Sequence, residues 1–183
     1  MLKPASAAER RPILLAEDSP DDAFFMQLAL EKAALSHPLF IVSDGQEVID
    51  YLEGAQPFTE RNLYPLPALI LLDIQMPRRN AFDVLSWLQN RPDLKGIPVV
   101  IFTGSDNQSD RDKASAMGAR AFHRKSASPQ QHDKLIQTLH KLLPDQPSTR
   151  PALLAAKLAD PGASDTDCLL DESRLLQGRL IPF

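Results

Sequence analysis

The chain has 183 residues, 43% hydrophobic and 24% charged, with a formal net charge of −4 at pH 7, enough for one α/β domain with its own core plus an extension. The acidic balance argues against direct nucleic-acid binding, which shows as a basic patch, and no apolar run reaches the roughly 18 residues of a membrane span. Cys168 is the single cysteine and has no disulfide, redox or zinc partner, and the opening MLKPASAAERRP lacks the apolar stretch of a secretory signal, so the expected setting is cytoplasmic, without membrane or structural metal.

Short apolar runs alternate with longer amphipathic ones from Pro12 to Leu143. Ile13–Ala16 predicts a strand that ends in Glu17 and Asp18. Pro20 suits a first helical turn, and Phe25, Leu28 and Ala29 recur at helical spacing, which predicts a helix over Pro20–Ala34. Leu39–Val42 predicts a second strand and Gln46–Leu52 a helix, followed by a proline-containing loop over Gly54–Pro67. The continuous apolar run Ala68–Leu72 is the pattern of a fully buried strand, and it closes in Asp73. Helix Ala81–Leu88 presents Phe82, Leu85 and Leu88 on one face. Strand Pro98–Phe102 runs into Thr103 and Gly104, helix Asp106–Met117 stops at Gly118, and strand Ala119–Phe122 leads to Lys125. Ser128-Pro129 opens a last helix lined by Leu135, Leu139 and Leu142. Five such repeats predict a doubly wound α/β fold: a parallel, flavodoxin-like (βα)5 sheet in the order 2-1-3-4-5, covered on both faces.

In such a sheet, chemistry collects at the carboxyl ends of the strands. Glu17 and Asp18, Asp73, Thr103 and Lys125 all fall there. A lone Asp at a strand end is ordinarily a cap or turn residue, and a lone Lys ordinarily faces water. Four strand ends carrying such residues together are hard to obtain by chance. Three converging carboxylates repel one another and suit a hard divalent cation with oxygen ligands, Mg²⁺ above all. Lys125 offsets part of the charge, and Lys125 with the Thr103 hydroxyl can bond phosphoryl oxygens. Phosphoryl transfer asks mainly for positioning and charge neutralisation, so Asp73 is the expected phospho-acceptor, and Gly104 leaves room for a donor.

The segments ILLAEDSPDD, LILLDIQMPRRNAFDVL, IPVVIFTGS and AFHRKSAS, with 30 residues from Asp73 to Thr103 and 22 from Thr103 to Lys125, resemble the receiver domains of two-component signalling over Ile13–Leu143. The resemblance implies that Asp73 takes phosphate from a phosphohistidine on a sensor histidine kinase or a phosphotransfer protein, without further enzymatic activity. It implies that Asp18, Asp73 and the backbone carbonyl of Gln75 hold Mg²⁺ with help from Glu17, and that Thr103 and Phe122 form the switch pair. The EDSPxDA opening, the long loop before the third strand and Lys125-Ser126 resemble the single-domain regulators paired with bacterial and cyanobacterial phytochromes. That subgroup implies a phytochrome-type kinase partner and a homodimer through the fourth helix, fifth strand and fifth helix, with Leu139 on the expected contact face.

Three positions depart from the family pattern. Ser126 stands where proline is usual, which removes the basis for a cis bond there; Ala81 replaces a glycine, which matters only at positive φ; and Phe122 lacks a tyrosine hydroxyl. The chain is expected to divide into a flexible 1–11, a receiver over 12–143 and an extension over 144–183. The extension, a proline-marked linker with short apolar segments, is too short for a typical DNA-binding output domain; its leucines, from Leu169 to Leu180, are expected to dock or to remain partly disordered, and Cys168 is incidental. A DxD-type phosphatase would need an acid at Gln75, a Rossmann nucleotide site would need a glycine-rich loop after the first strand, and a pseudo-receiver would need a lost ligand.

Overall fold

Strand and helix alternate along the chain in a computed structural model that describes residues 11–126 and 128–143. The elements are β1 (Ile13–Ala16), α1 (Pro20–Lys32), β2 (Leu39–Val42), α2 (Gly45–Glu53), β3 (Leu69–Leu72), α3 (Ala81–Gln89), β4 (Val99–Thr103), α4 (Gln108–Ala116), β5 (Ala121–Arg124) and α5 (Pro129–Leu142). All strands are parallel, in the order β2-β1-β3-β4-β5. The expectations for residues 1–10 and for the 144–183 extension, Cys168 included, lie outside the described residues.

Both faces of the sheet are covered, which is why its central strands are apolar at every position. Leu14, Ala16, Ile70, Leu72 and Ile101 pack with α2, α3 and α4, whereas Ile13, Leu15, Leu69, Leu71 and Val100 pack with α1 and α5. The helices begin where side chains cap them. Ser19 Oγ accepts the Asp22 N–H, Asp44 accepts the N–H groups of Gln46 and Glu47, and Asn80 forms a reciprocal capping box with Asp83.

The structure decides the buried face of the first helix and corrects two expectations, the start of the fifth strand and the place of Leu139. Helix α1 buries Ala23, Met26 and Leu30, not the stripe at Phe25, Leu28 and Ala29; Phe24 and Phe25 are exposed, at 57% and 62%. Two helically spaced stripes compete in that sequence, and the one carrying the small Ala23 lets the helix lie close to the sheet. Strand β5 starts two residues later than Ala119, because the Ala119 N–H still donates to the Ala114 carbonyl at the end of α4, after Gly118 has turned at φ 97°. As an edge strand it tolerates His123 and Arg124. Leu139 is fully buried among the α1 and α5 core residues. It is a core position and cannot report on a surface of the fifth helix.

The loop from Gly54 to Ala68 is better ordered than its composition suggests. Phe40, Tyr51, Phe58 and Tyr64 form an aromatic cluster with ring centroids 5.1–6.1 Å apart. The Tyr51 hydroxyl donates to the Pro65 carbonyl at 2.9 Å, and burial pushes its pKa above the usual phenol range. Arg61 donates to the carbonyls of Tyr51 and Leu52 at 2.7 and 2.6 Å, satisfying groups left open where α2 ends.

His123 on β5 is half-buried, with Nε2 2.9 Å from Thr138 Oγ1. Thr138 gives its own proton to the Lys134 carbonyl, so His123 donates from Nε2. Burial, then the nearby charges of Arg111 and Lys134, hold its pKa below the ordinary value. The unfolded chain therefore takes up this proton, at about pH 6.5, before the fold does, and the stability tied to His123 falls as pH drops through that range. Thermal melts from about pH 7.5 to about pH 5.5 are expected to show a smaller loss of Tm for His123→Gln than for the wild type. An equal loss would remove His123 from the pH response.

Candidate functional site

The backbone ladder carries the site residues one step past the strand ends. Glu17 N–H donates to Val42 O at 2.9 Å, Asp73 N–H to Ala16 O at 3.1 Å and Lys125 N–H to Thr103 O at 2.7 Å. Each side chain is thus fixed by the neighbouring strand and emerges on the carboxyl rim of the sheet. Glu17, Asp73 and Thr103 are buried there and Asp18 is exposed.

Lys125 sits at the centre of this group. Its Nζ lies 2.6 Å from Glu17 Oε2, 2.8 Å from Asp73 Oδ2 and 2.9 Å from Asp22 Oδ2. Burial works against the ammonium charge, but hydrogen bonds to Asp73, Glu17 and Asp22 outweigh it and raise the Lys125 pKa well above its ordinary value. Glu17 is shifted upward too: burial dominates, and the bond from Lys125 offsets it only in part. The two directions are compatible, because one ammonium is shared among three acids.

Carboxylate oxygens of Glu17, Asp18 and Asp73 lie within 4.8 Å of one another. They are hard donors on a rim where four carboxylates, Asp22 included, face one ammonium, and this set fits a hard divalent cation. The Gln75 N–H donates weakly to Asp73 Oδ1, at 3.4 Å, so the Gln75 backbone lies directly beside Asp73.

The loop that carries Gln75 is anchored from two sides. Arg78, at φ 57°, pairs with Asp44 and with Glu47, the latter at 3.1 Å, and its guanidinium is held above its ordinary pKa chiefly by the hydrogen bond to Asp44. Gly45 N–H donates to Arg79 O at 3.1 Å, and a Cβ on Gly45 would stand 2.5 Å from that oxygen, so this close approach requires glycine. The positive φ belongs to Arg78 and not to Ala81, which begins α3 as a fully buried residue. At the other departure, the cis peptide bond among the described residues is Gln56–Pro57, and Lys125-Ser126 is not cis.

Thr103 Oγ1 accepts the Ser105 N–H at 3.4 Å. Phe122 pairs with Ile101 in the sheet register, two residues before Thr103, and so lies on the same face as Thr103. The Arg111 guanidinium of α4 covers the half-buried Phe122 ring at 4.6 Å. Sequence reasoning overlooked Asp22, Arg111 and Arg78. Asp22 follows the Ser19-Pro20 helix start at the third helical position, which is the only local signal that it turns back to the rim.

Residues 13–139 match the response regulator receiver domain. The chain is 33% identical over 125 residues to response regulator Rcp1 of Synechocystis, covering 68% of this chain and 83% of Rcp1. It resembles the phosphorylated cyanobacterial phytochrome response regulator RcpA with a TM-score of 0.64 and 28% identity, covering 73% of this chain and 94% of RcpA. It also resembles the Mn²⁺-bound form of Rcp1 with a TM-score of 0.63 and 30% identity, over 74% of this chain and 99% of that one.

Removing the shared ammonium leaves Glu17 and Asp73 buried side by side. Breaking a buried ion pair from one partner costs about 3–5 kcal/mol. Lys125→Met is expected to lose stability on that scale without divalent cations, and to regain more on adding Mg²⁺ than the wild type gains. Urea denaturation with and without Mg²⁺ measures both; equal gains would show that Lys125 and a cation do not balance the same charge.

Proposed function

This chain belongs to the response regulator receiver domain family, and from that membership we propose that it is a single-domain regulator, with its receiver over residues 12–143, that accepts a phosphoryl group on Asp73 from a sensor histidine kinase. The observation that carries the reading is the approach of the Glu17, Asp18 and Asp73 carboxylates beside Lys125 on the carboxyl rim.

In this reading an Asp73 carboxylate oxygen attacks the phosphorus of a phosphohistidine in line. The new O–P bond makes an acyl phosphate, the N–P bond breaks, and the leaving imidazole keeps the electron pair and takes up a proton. Lys125 and the Thr103 hydroxyl offer hydrogen-bond donors to the phosphoryl oxygens. Glu17, Asp18, Asp73 and the Gln75 carbonyl are the residues that would hold Mg²⁺, which when bound neutralises charge on the transferring group. The burial of Glu17 and Asp73 limits competing water. The reaction is stoichiometric, so the protein acts as a signalling switch and not as an enzyme with turnover on a separate substrate.

Phosphorylation is read out, in the same proposal, through the packing of Thr103 and Phe122 and a homodimer formed by α4, β5 and α5. The exposed Phe25 on α1 lines a groove with Leu28, Ile136 and Lys125, its ring centroid 6.2 Å from that of the exposed Phe24, and this apolar face is available to the kinase next to the acceptor. Similarity to the phytochrome regulators favours a phytochrome-type kinase in the cytoplasm.

Incubation with Mg²⁺ and a small phosphodonor, followed by intact mass, is expected to add one phosphoryl group to the wild type and none to Asp73→Asn. No addition to the wild type, with beryllofluoride also failing to bind, would overturn the phospho-acceptor reading. For the dimer, Lys134→Glu on the exposed side of α5 is expected to shift sedimentation toward the monomer under phosphorylating conditions; an unchanged value would count against that face.

A further inference from the structure

The three protons of the Lys125 ammonium already face three carboxylates, contributed by the end of β1, the end of β3 and the first turn of α1. Phosphorylation takes the charge off Asp73 and passes its Lys125 bond to a phosphoryl oxygen, and a second bond to the new dianion requires Glu17 or Asp22 to release Lys125. The two are unequal. The Glu17 side chain is 2% exposed, so it cannot replace Lys125 with water cheaply. The Asp22 side chain is 42% exposed, and water can take the place of Lys125 there.

We propose that Asp22 is a positioning residue: it holds Lys125 across the rim in the unphosphorylated protein and is the partner that releases Lys125 to the phosphoryl group. Ser19 caps the α1 turn through the Asp22 N–H, so the carboxylate is presented from a fixed backbone. The first turn of α1 is thereby tied to the phosphorylation state of Asp73. Asp22 and Lys125 also share the rim of the groove between α1 and α5, so the freed carboxylate appears on that surface when the acceptor is occupied. Because Asp22 competes with the phosphoryl group for one ammonium, its cost is paid in affinity for the phosphorylated state.

The inference rests on the phospho-acceptor reading, and its test separates the two. Beryllofluoride is titrated calorimetrically, in the presence of Mg²⁺, into the full chain as wild type, Asp22→Asn and Asp21→Asn. Asp21 is exposed in the same turn and carries the same charge, but Lys125 does not pair with it. Asp22→Asn is expected to bind beryllofluoride about two- to fivefold more tightly than the wild type, the range of a part-exposed ion pair, and Asp21→Asn to match the wild type. A merely structural Asp22 would weaken binding or leave it unchanged, and either result overturns the inference. Equal tightening in both variants also overturns it, because that is an unspecific charge effect. A wild type that does not bind at all sinks the phospho-acceptor reading together with this one.

Discussion

Lys125 brings one positive charge to a rim where Glu17, Asp18, Asp22 and Asp73 bring four negative ones. Without it the strand ends would meet at a cost in stability, since two of the carboxylates are buried and mutual repulsion grows as water is excluded. The remaining negative charge makes the rim receptive to a divalent cation. One ammonium therefore serves the stability of the fold and the chemistry of the site at once.

The rest of the scaffold holds that arrangement still. Adjacent strands supply the backbone bonds that set Glu17, Asp73 and Lys125. The loop after Asp73 is pinned to the start of α2 through Asp44, Glu47, Gly45 and the Arg78–Arg79 pair. Arg61 and the Tyr51 cluster, in turn, fix the other end of α2 and the long loop behind it. Rigid supports of this kind matter because phosphoryl transfer depends on position and charge more than on any single reactive group.

In the proposed reading, change at Asp73 has two physical routes outward. One passes from Thr103 along the sheet face to Phe122, whose ring is held by Arg111 of α4. The other passes from Lys125 to Asp22 and the first turn of α1. The routes leave on opposite faces of the sheet, since Ile101 and Phe122 pack with α2, α3 and α4 while Ala23 and Met26 of α1 pack with α5.

The sequence by itself determined which residues close each strand. Continuous apolar runs such as Leu69–Leu72, bounded by turn residues, read as buried strands, and the first polar residue after the run marks the strand's end. That logic reached Glu17, Asp18, Asp73 and Thr103; Lys125 follows two further polar residues, and the strand order came from the βα repeat. It reached the helices less well: α1 carries two apolar stripes, and only packing chose Ala23, Met26 and Leu30 over the one that leaves Phe25 in water. Leu139 and Leu142 look alike in sequence, yet one is core and the other half-buried. The Asp22 partner of Lys125 was decided by tertiary structure alone. Asp22 lies 103 positions from Lys125, and no local pattern signals a contact that exists only because α1, β1, β3 and β5 bring their ends to one rim.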